Sequence, residues 1–226
     1  MTRENSEQLP ELKFEYSAET EMRRAKYLLL PEKRKFYLDQ GYEVTLPKGL
    51  DMEDTSEISD EDLLEKINAE LDFEKTEKLK LEIQEEWPSI AETLRKLFRE
   101  TGYEMPETYT IQLTNYRPGG GYRVEDNSII LVFSRTYKEG WSRSRTLIHE
   151  GIHLSIEKLL FKYGLADPDC QGIKEHLVDL LMLKVVPDYP LQDRLPKEKI
   201  EEIDKIFNQH YPNIEKILEE VSKIKK

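Results

Sequence analysis

The chain is poor in the residues that staple or anchor a protein. Its single cysteine, Cys170, excludes an intrachain disulfide; a buried thiol is the plain reading of it and a zinc ligand the lesser one. No apolar run approaches the length that crosses a bilayer. Residues 1–10 are polar and acidic and lack the pattern of a secretory leader, so the expected location is the cytoplasm. Basic residues are outnumbered 34 to 46, for a net charge of −12. That balance argues against nucleic acid and against anionic membranes as partners. At 226 residues, 38% apolar and 35% charged, the chain can hold a modest core, as one large domain or a small domain with appendages.

Histidine is scarce as well. There are four, and two fall in one short motif, His149-Glu150-Gly151-Ile152-His153. On an α-helix, positions four apart share a face about 6 Å apart along the axis. Two imidazoles so placed can hold one Zn²⁺. Glu150 projects from a neighbouring stripe, beside the metal and outside its ligand set, where a carboxylate suits a general base acting on metal-activated water. The surroundings predict the helix. Ser142 is a candidate N-cap, Gly164 a candidate C′ glycine, and Ile148, Ile152, Ile156, Leu159, Leu160 and Tyr163 form a core stripe. The histidines border that stripe, so they are expected to be partly buried and to need a partner.

Catalytic zinc usually has three protein ligands and one open position. The downstream candidates are Asp167, Asp169, Cys170, Glu175, His176 and Asp179. A second helix is predicted from Asp169, as its cap, to Val185, stopped by Pro187. Ile173, Leu177, Leu180 and Leu181 are its core stripe. Glu175 and Asp179 lie four apart beside that stripe, where acidic residues are unusual unless paired. Glu175 as a ligand and Asp179 as an acceptor for a ligand imidazole account for both. His176 points about 100° away from Glu175, so one of the two faces the metal; the pairing with Asp179 favours Glu175.

The pair of motifs, His149-Glu150-Gly151-Ile152-His153 followed by Glu175-His176-Leu177-Val178-Asp179, resembles the gluzincin metallopeptidases, whose pattern is HExxH and then ExxxD on a separate helix. The match covers about residues 108–186, and the compact size is similar to that of the minigluzincins. The resemblance implies that His149, His153 and Glu175 bind zinc, that Glu150 is the general base and acid, and that Asp179 orients a ligand histidine. It also implies a peptide or protein substrate. The Gly and His that follow the motif in metzincins are absent.

Around the motifs, Ala18 to Leu30 and Glu32 to Gln40 read as helices. The basic stretch Arg23, Arg24, Lys26, Lys33, Arg34 and Lys35, with Tyr27, Phe36 and Tyr37 among them, either packs on the chain's own acidic surface or binds an acidic partner. Residues 50–60 read as a linker. Ser59 to Trp87 is helical with a break near Phe73 to Lys78, and Ser89-Ile90-Ala91-Glu92 is a capping box opening a further helix that Gly102 ends. Thr108 to Thr114 alternates as a half-buried strand, 115–121 is a glycine-rich loop, and Ser128 to Ser134 is an apolar strand. Within the implied zincin fold an edge strand contained in Gly121 to Val132 takes the substrate backbone. Lys197 to Lys226 is amphipathic, with a break at Tyr211-Pro212; it either completes the core or lies across the cleft. Tyr189 and His210 are candidate oxyanion donors without a diagnostic context.

The expected fold is α+β and zincin-like. A small mixed sheet, an active-site helix and a glutamate helix form it, with helical additions at both ends. The expected segments are 1–58 (helical segment and linker), 59–190 (catalytic domain) and 191–226 (helical tail). The expected activity is zinc-dependent peptide-bond hydrolysis. The competing reading is a non-catalytic, zinc-stabilised helical module that binds a basic partner, with Cys170 or His176 closing the fourth metal position.

Overall fold

A computed structural model describes residues 9–39, 43–50, 58–116, 120–133, 142–192 and 194–225. The fold is mixed α+β, with one four-stranded sheet and eight α-helices among those residues. The chain clusters into two compact units. One comprises Leu12–Glu85 and Thr108–Thr136; the other comprises Met1–Glu11, Glu86–Glu107 and Tyr137–Lys226.

The first unit holds the sheet. β1 (Glu11–Glu15) leads into α1 (Ala18–Leu29) and α2 (Pro31–Asp39), then α3 (Asp60–Glu70) and the start of α4 (Phe73–Thr101). β2 (Thr108–Thr114), β3 (Gly121–Arg123) and β4 (Ser128–Val132) follow. The strand order is β1-β2-β4-β3. β4 runs parallel to β2, with Ile111 opposite Ile129 and Leu113 opposite Leu131. β3 is antiparallel to β4, Tyr122 facing Ile129, and Asn127 in the connecting turn takes the left-handed conformation (φ 51°) that Asn tolerates. Gly121 to Val132 contains both β3, at one end of the order, and β4, inside it. β1 was not foreseen: five residues with alternating charge resemble loop as much as strand. β2 is buried on both faces towards its end, Gln112 and Thr114 included, more than an alternating pattern suggests.

Helix starts in this unit follow capping chemistry. Ser17 and Thr20 form a reciprocal capping box on α1, and the Ser59 hydroxyl accepts from the Asp62 N–H at the start of α3. The helix breaks at Leu71-Asp72, just before the predicted Phe73 to Lys78, which lie inside α4; the Asp72 side chain accepts from the Lys75 N–H at 2.9 Å and restarts the helix. Ala25, Leu28, Leu63 and Ile67 close the core between α1 and α3; each large side chain fully removed from water contributes about 1.5–3 kcal/mol. Within the basic stretch, Lys26 pairs with Asp60 at 2.6 Å, while Tyr27, Leu30, Phe36 and Leu38 remain exposed. Residues 51–57 of the predicted linker, 117–119 of the predicted glycine loop and residues 1–8 fall outside the described residues.

The second unit is helical, and one expectation is corrected at its entrance. Ser89 does not open a helix: α4 runs unbroken through Pro88. A proline inside a helix costs about 3 kcal/mol or more. Burial of Trp87, Ile90, Ala91 and Leu94, and the Trp87 indole N–H donated to the Pro10 carbonyl at 3.0 Å, offset it. Gly102, with φ 78°, ends the helix, as expected. α5 (Arg143–Lys162), a 3₁₀ turn (Pro168–Cys170), α6 (Gln171–Val185), α7 (Lys197–His210) and α8 (Ile214–Lys223) complete the unit. The predicted cap at Asp169 is also corrected: the 3₁₀ turn leads straight into α6, whose N-cap residue is Cys170, without a side-chain cap bond.

The compact units do not follow the contiguous segments 1–58, 59–190 and 191–226. The tail belongs with the motif helices, because Ile203 and Phe207 of α7 and Ile214, Ile217, Leu218 and Val221 of α8 are buried and these helices contact α6 and α5. The tail thus completes a core. No helix among the described residues is long and apolar enough to cross a membrane.

Candidate metal centre

The motif helix forms where its sequence says it should. The Ser142 hydroxyl accepts from the Arg145 N–H at 3.2 Å, and the helix ends at Tyr163 before Gly164 (φ 65°). Glu86 ties the first turn, accepting from the Arg143 guanidinium at 2.5 Å and the Ser144 hydroxyl at 2.6 Å. Gly151, inside the motif, permits close packing on α4: a Cβ there would stand 3.0 Å from Leu94 Cδ1. One helical turn apart, His149 and His153 bring their Nε2 atoms to 3.1 Å.

α6 supplies the third group. Glu175 Oε2 lies 3.3 Å from His149 Nε2 and 3.7 Å from His153 Nε2. All three residues are buried, and they are the one His/Cys/Asp/Glu group among the described residues with the spacing to hold a metal ion. Tetrahedral ligands about 2.1 Å from a common ion stand roughly 3.4 Å apart, and the three distances bracket that value. Between Glu175 and His176, the geometry selects Glu175. His176 Nε2 turns to Asp204 Oδ1 of α7 at 2.7 Å. Cys170 is likewise apart, its Sγ 3.9 Å from the Gly164 carbonyl.

The charges around the group favour a positive partner. Glu150, Glu175 and Asp179 all act on His149: burial lowers the proton affinity of its imidazole, but the Glu175 hydrogen bond and the three carboxylate charges outweigh burial and raise it. Burial pushes Glu175 up, yet the two imidazoles hold it well below the usual carboxylate range. Asp179 is fully buried; desolvation raises it against two hydrogen bonds from Gln192. Buried carboxylates that stay ionised need a positive charge beside them, which a metal ion or a protonated imidazole can supply. The donor set, two imidazoles and one carboxylate with their Nε2 and Oε2 atoms converging, fits a divalent ion.

Several residues around the centre escaped the sequence reading. The hydrogen-bond partner of His149 Nδ1 is the Tyr189 hydroxyl at 2.9 Å, with Asp179 Oδ1 at 3.9 Å. Asp179 lies near His149 Nδ1 without a hydrogen bond to it, and Tyr189 is nearer. Tyr189 was a candidate oxyanion donor; its hydroxyl instead engages the ring nitrogen turned away from His153. Gln171 donates to Glu175 Oε1 at 2.5 Å, a contact legible from the four-residue spacing. Gln192 reaches both acidic residues, which no periodicity encodes. His210, the other oxyanion candidate, ends α7 and does not belong to the ligand group. A separate surface groove runs along α4 between Glu92, Lys96 and Glu100 and against Val185, and it shares no residue with the centre.

Neither family models nor curated proteins nor solved structures match this chain, so the chemistry of the site rests on its own residues.

Proposed function

We propose that the chain is a zinc-dependent peptidase of the gluzincin type, with a zincin-like arrangement of motif helix and glutamate helix. One observation carries the reading: His149 Nε2, His153 Nε2 and Glu175 Oε2 converge at 3.1–3.7 Å in a buried site, with the Glu150 carboxylate close enough for its charge to act on His149 and outside the ligand group. In this reading His149, His153 and Glu175 hold Zn²⁺. When bound, the ion supplies Lewis acidity, lowering the pKa of water at its open position and polarising the scissile carbonyl. Glu150 accepts the proton that water loses on attack and delivers it to the departing amine nitrogen, so the proton is conserved between base and leaving group. Asp179 and Tyr189 keep the His149 ring oriented. Substrates are peptides or proteins.

The alternative, a closed zinc-stabilised interaction module, asks for a fourth protein ligand. The two residues offered for it, Cys170 and His176, face the Gly164 carbonyl and Asp204, so the open-site reading is the better supported. The test is metal analysis of protein purified without added metal, paired with Glu150→Gln. About one Zn²⁺ per chain in both proteins, and hydrolysis of an unfolded protein substrate by the wild type that falls about 10²–10⁴-fold in the variant, is the expected outcome. Metal that stays substoichiometric on adding Zn²⁺, or a variant as active as the wild type, overturns the proposal.

A further inference from the structure

The connection from α6 to α7 lies against the metal centre and touches two of its three ligand residues. Tyr189, 3% exposed, sets its hydroxyl 2.9 Å from His149 Nδ1. An imidazole that offers Nε2 to a metal keeps its proton on Nδ1 and must donate it; the Tyr189 oxygen is the acceptor. Three residues on, Gln192 donates its backbone N–H to Asp179 Oδ2 at 2.7 Å. Its side-chain amide lies 3.2 Å from Asp179 Oδ1 and 3.4 Å from Glu175 Oε2. Arg194 donates to Gln192 Oε1 at 2.5 Å, which fixes the amide with its NH₂ towards the two carboxylates.

The connection is itself clamped at both ends. Near its start, Asp188 is bound by the Arg145 guanidinium at 2.6 Å, one turn before His149 on the motif helix. Near its end, Leu195 presses on α6 at Gly172, where a Cβ would stand 2.7 Å from Leu195 Cδ2 and 3.1 Å from the Arg194 carbonyl. Only glycine leaves room for that approach. Two clamps and two ligand contacts within eight residues exceed what a chain reversal between helices requires.

We infer that residues 188–192 with 194 and 195 form a strap in which Tyr189 and Gln192 are positioning residues of the metal centre: Tyr189 sets the ring of His149, and Gln192 sets the Glu175 carboxylate together with Asp179. The inference rests on the metal-centre reading. It assigns to a phenol the role of partner to a ligand imidazole that the motif pattern gives to Asp179, and it makes metal affinity depend on a segment outside both motifs.

Zn²⁺ competition against a chromophoric chelator, with Co²⁺ absorption as a second readout, tests it on the wild type, Tyr189→Phe and Gln192→Ala. Tyr189→Phe keeps the ring and removes only the hydroxyl. The expected result is Zn²⁺ affinity reduced about 10- to 100-fold in each variant, altered Co²⁺ bands, and an unmoved thermal transition in the metal-free proteins. Variants that bind Zn²⁺ within about twofold of the wild type overturn the strap and leave the metal centre standing. An affinity that falls only in step with metal-free stability, with wild-type Co²⁺ bands, overturns it too. A wild type that competes for no metal overturns the metal-centre reading itself.

Discussion

Glu21 in the sheet unit and Glu175 in the helical unit are both buried glutamates, and their surroundings drive them in opposite directions. Burial raises the pKa of each. Glu21 meets neutral donors, the Thr114 hydroxyl at 2.6 Å and the Asn115 N–H at 2.7 Å, and these with Arg24 leave it pushed up to about 7. Glu175 meets two imidazoles and is held well below the usual range. Neutral donors satisfy a buried carboxyl without forcing it to ionise; cationic partners force it. The first glutamate therefore behaves as a packed polar residue closing the end of β2. The second is an anion held ready beside nitrogen donors. Desolvation alone does not mark a functional carboxylate; the charge of what it faces does.

The two units can be told apart by truncating their cores. Phe207→Ala in the helical unit is expected to cost about 3–5 kcal/mol and, because α7 packs on the helix that bears Glu175, to weaken Zn²⁺ binding as well. Leu63→Ala in the sheet unit is expected to cost about 2–5 kcal/mol with Zn²⁺ affinity unchanged. Denaturant melts alongside chelator competition measure both. Equal metal loss in the two variants would erase the distinction.

The contrast between the glutamates is sharpened by pH. Glu21 has a folded pKa above its unfolded value, so the folded state keeps a proton that the unfolded chain releases. Its contribution is full below about pH 4.5 and is lost as pH rises towards 7. The loss amounts to about 3 kcal/mol for a shift of this size. Glu21→Gln cannot ionise and is expected to flatten that part of the stability profile. Denaturation midpoints of the two proteins between pH 4.5 and 7.5 that run parallel would show that Glu21 is ionised in the folded state.

The smallest effect belongs to the surface. Lys26→Ala removes the exposed pair with Asp60 and is expected to cost no more than about 1 kcal/mol, diminishing with salt. A larger loss would mean that the basic stretch is anchored to its own unit more firmly than this contact implies.

Much of the site was legible in sequence because it is written in local spacing. The four-residue interval of His149 and His153 and that of Glu175 and Asp179 are properties of a helix, and the caps at Ser142 and Gly164 delimit one without help from the rest of the chain. The misses share a cause. Pro88 and Ser89 read locally as an interruption, but the buried face of α4 carries the helix through. Cys170, not Asp169, precedes α6 because the 3₁₀ turn replaces a side-chain cap. His176, which spacing left as a rival to Glu175, is resolved by Asp204, 28 residues away.

The chain by itself determined the helices of the two motifs and the chemical types they present, since hydrogen bonds between near neighbours and a period of 3.6 residues are enough for that. Only the tertiary structure decided which residues meet: Glu175 with the two imidazoles, Tyr189 with His149, Gln192 with both carboxylates, and α7 and α8 with the core of the motif helices. Those encounters join residues distant along the chain, and their geometry is set by packing of whole elements, which no local pattern records.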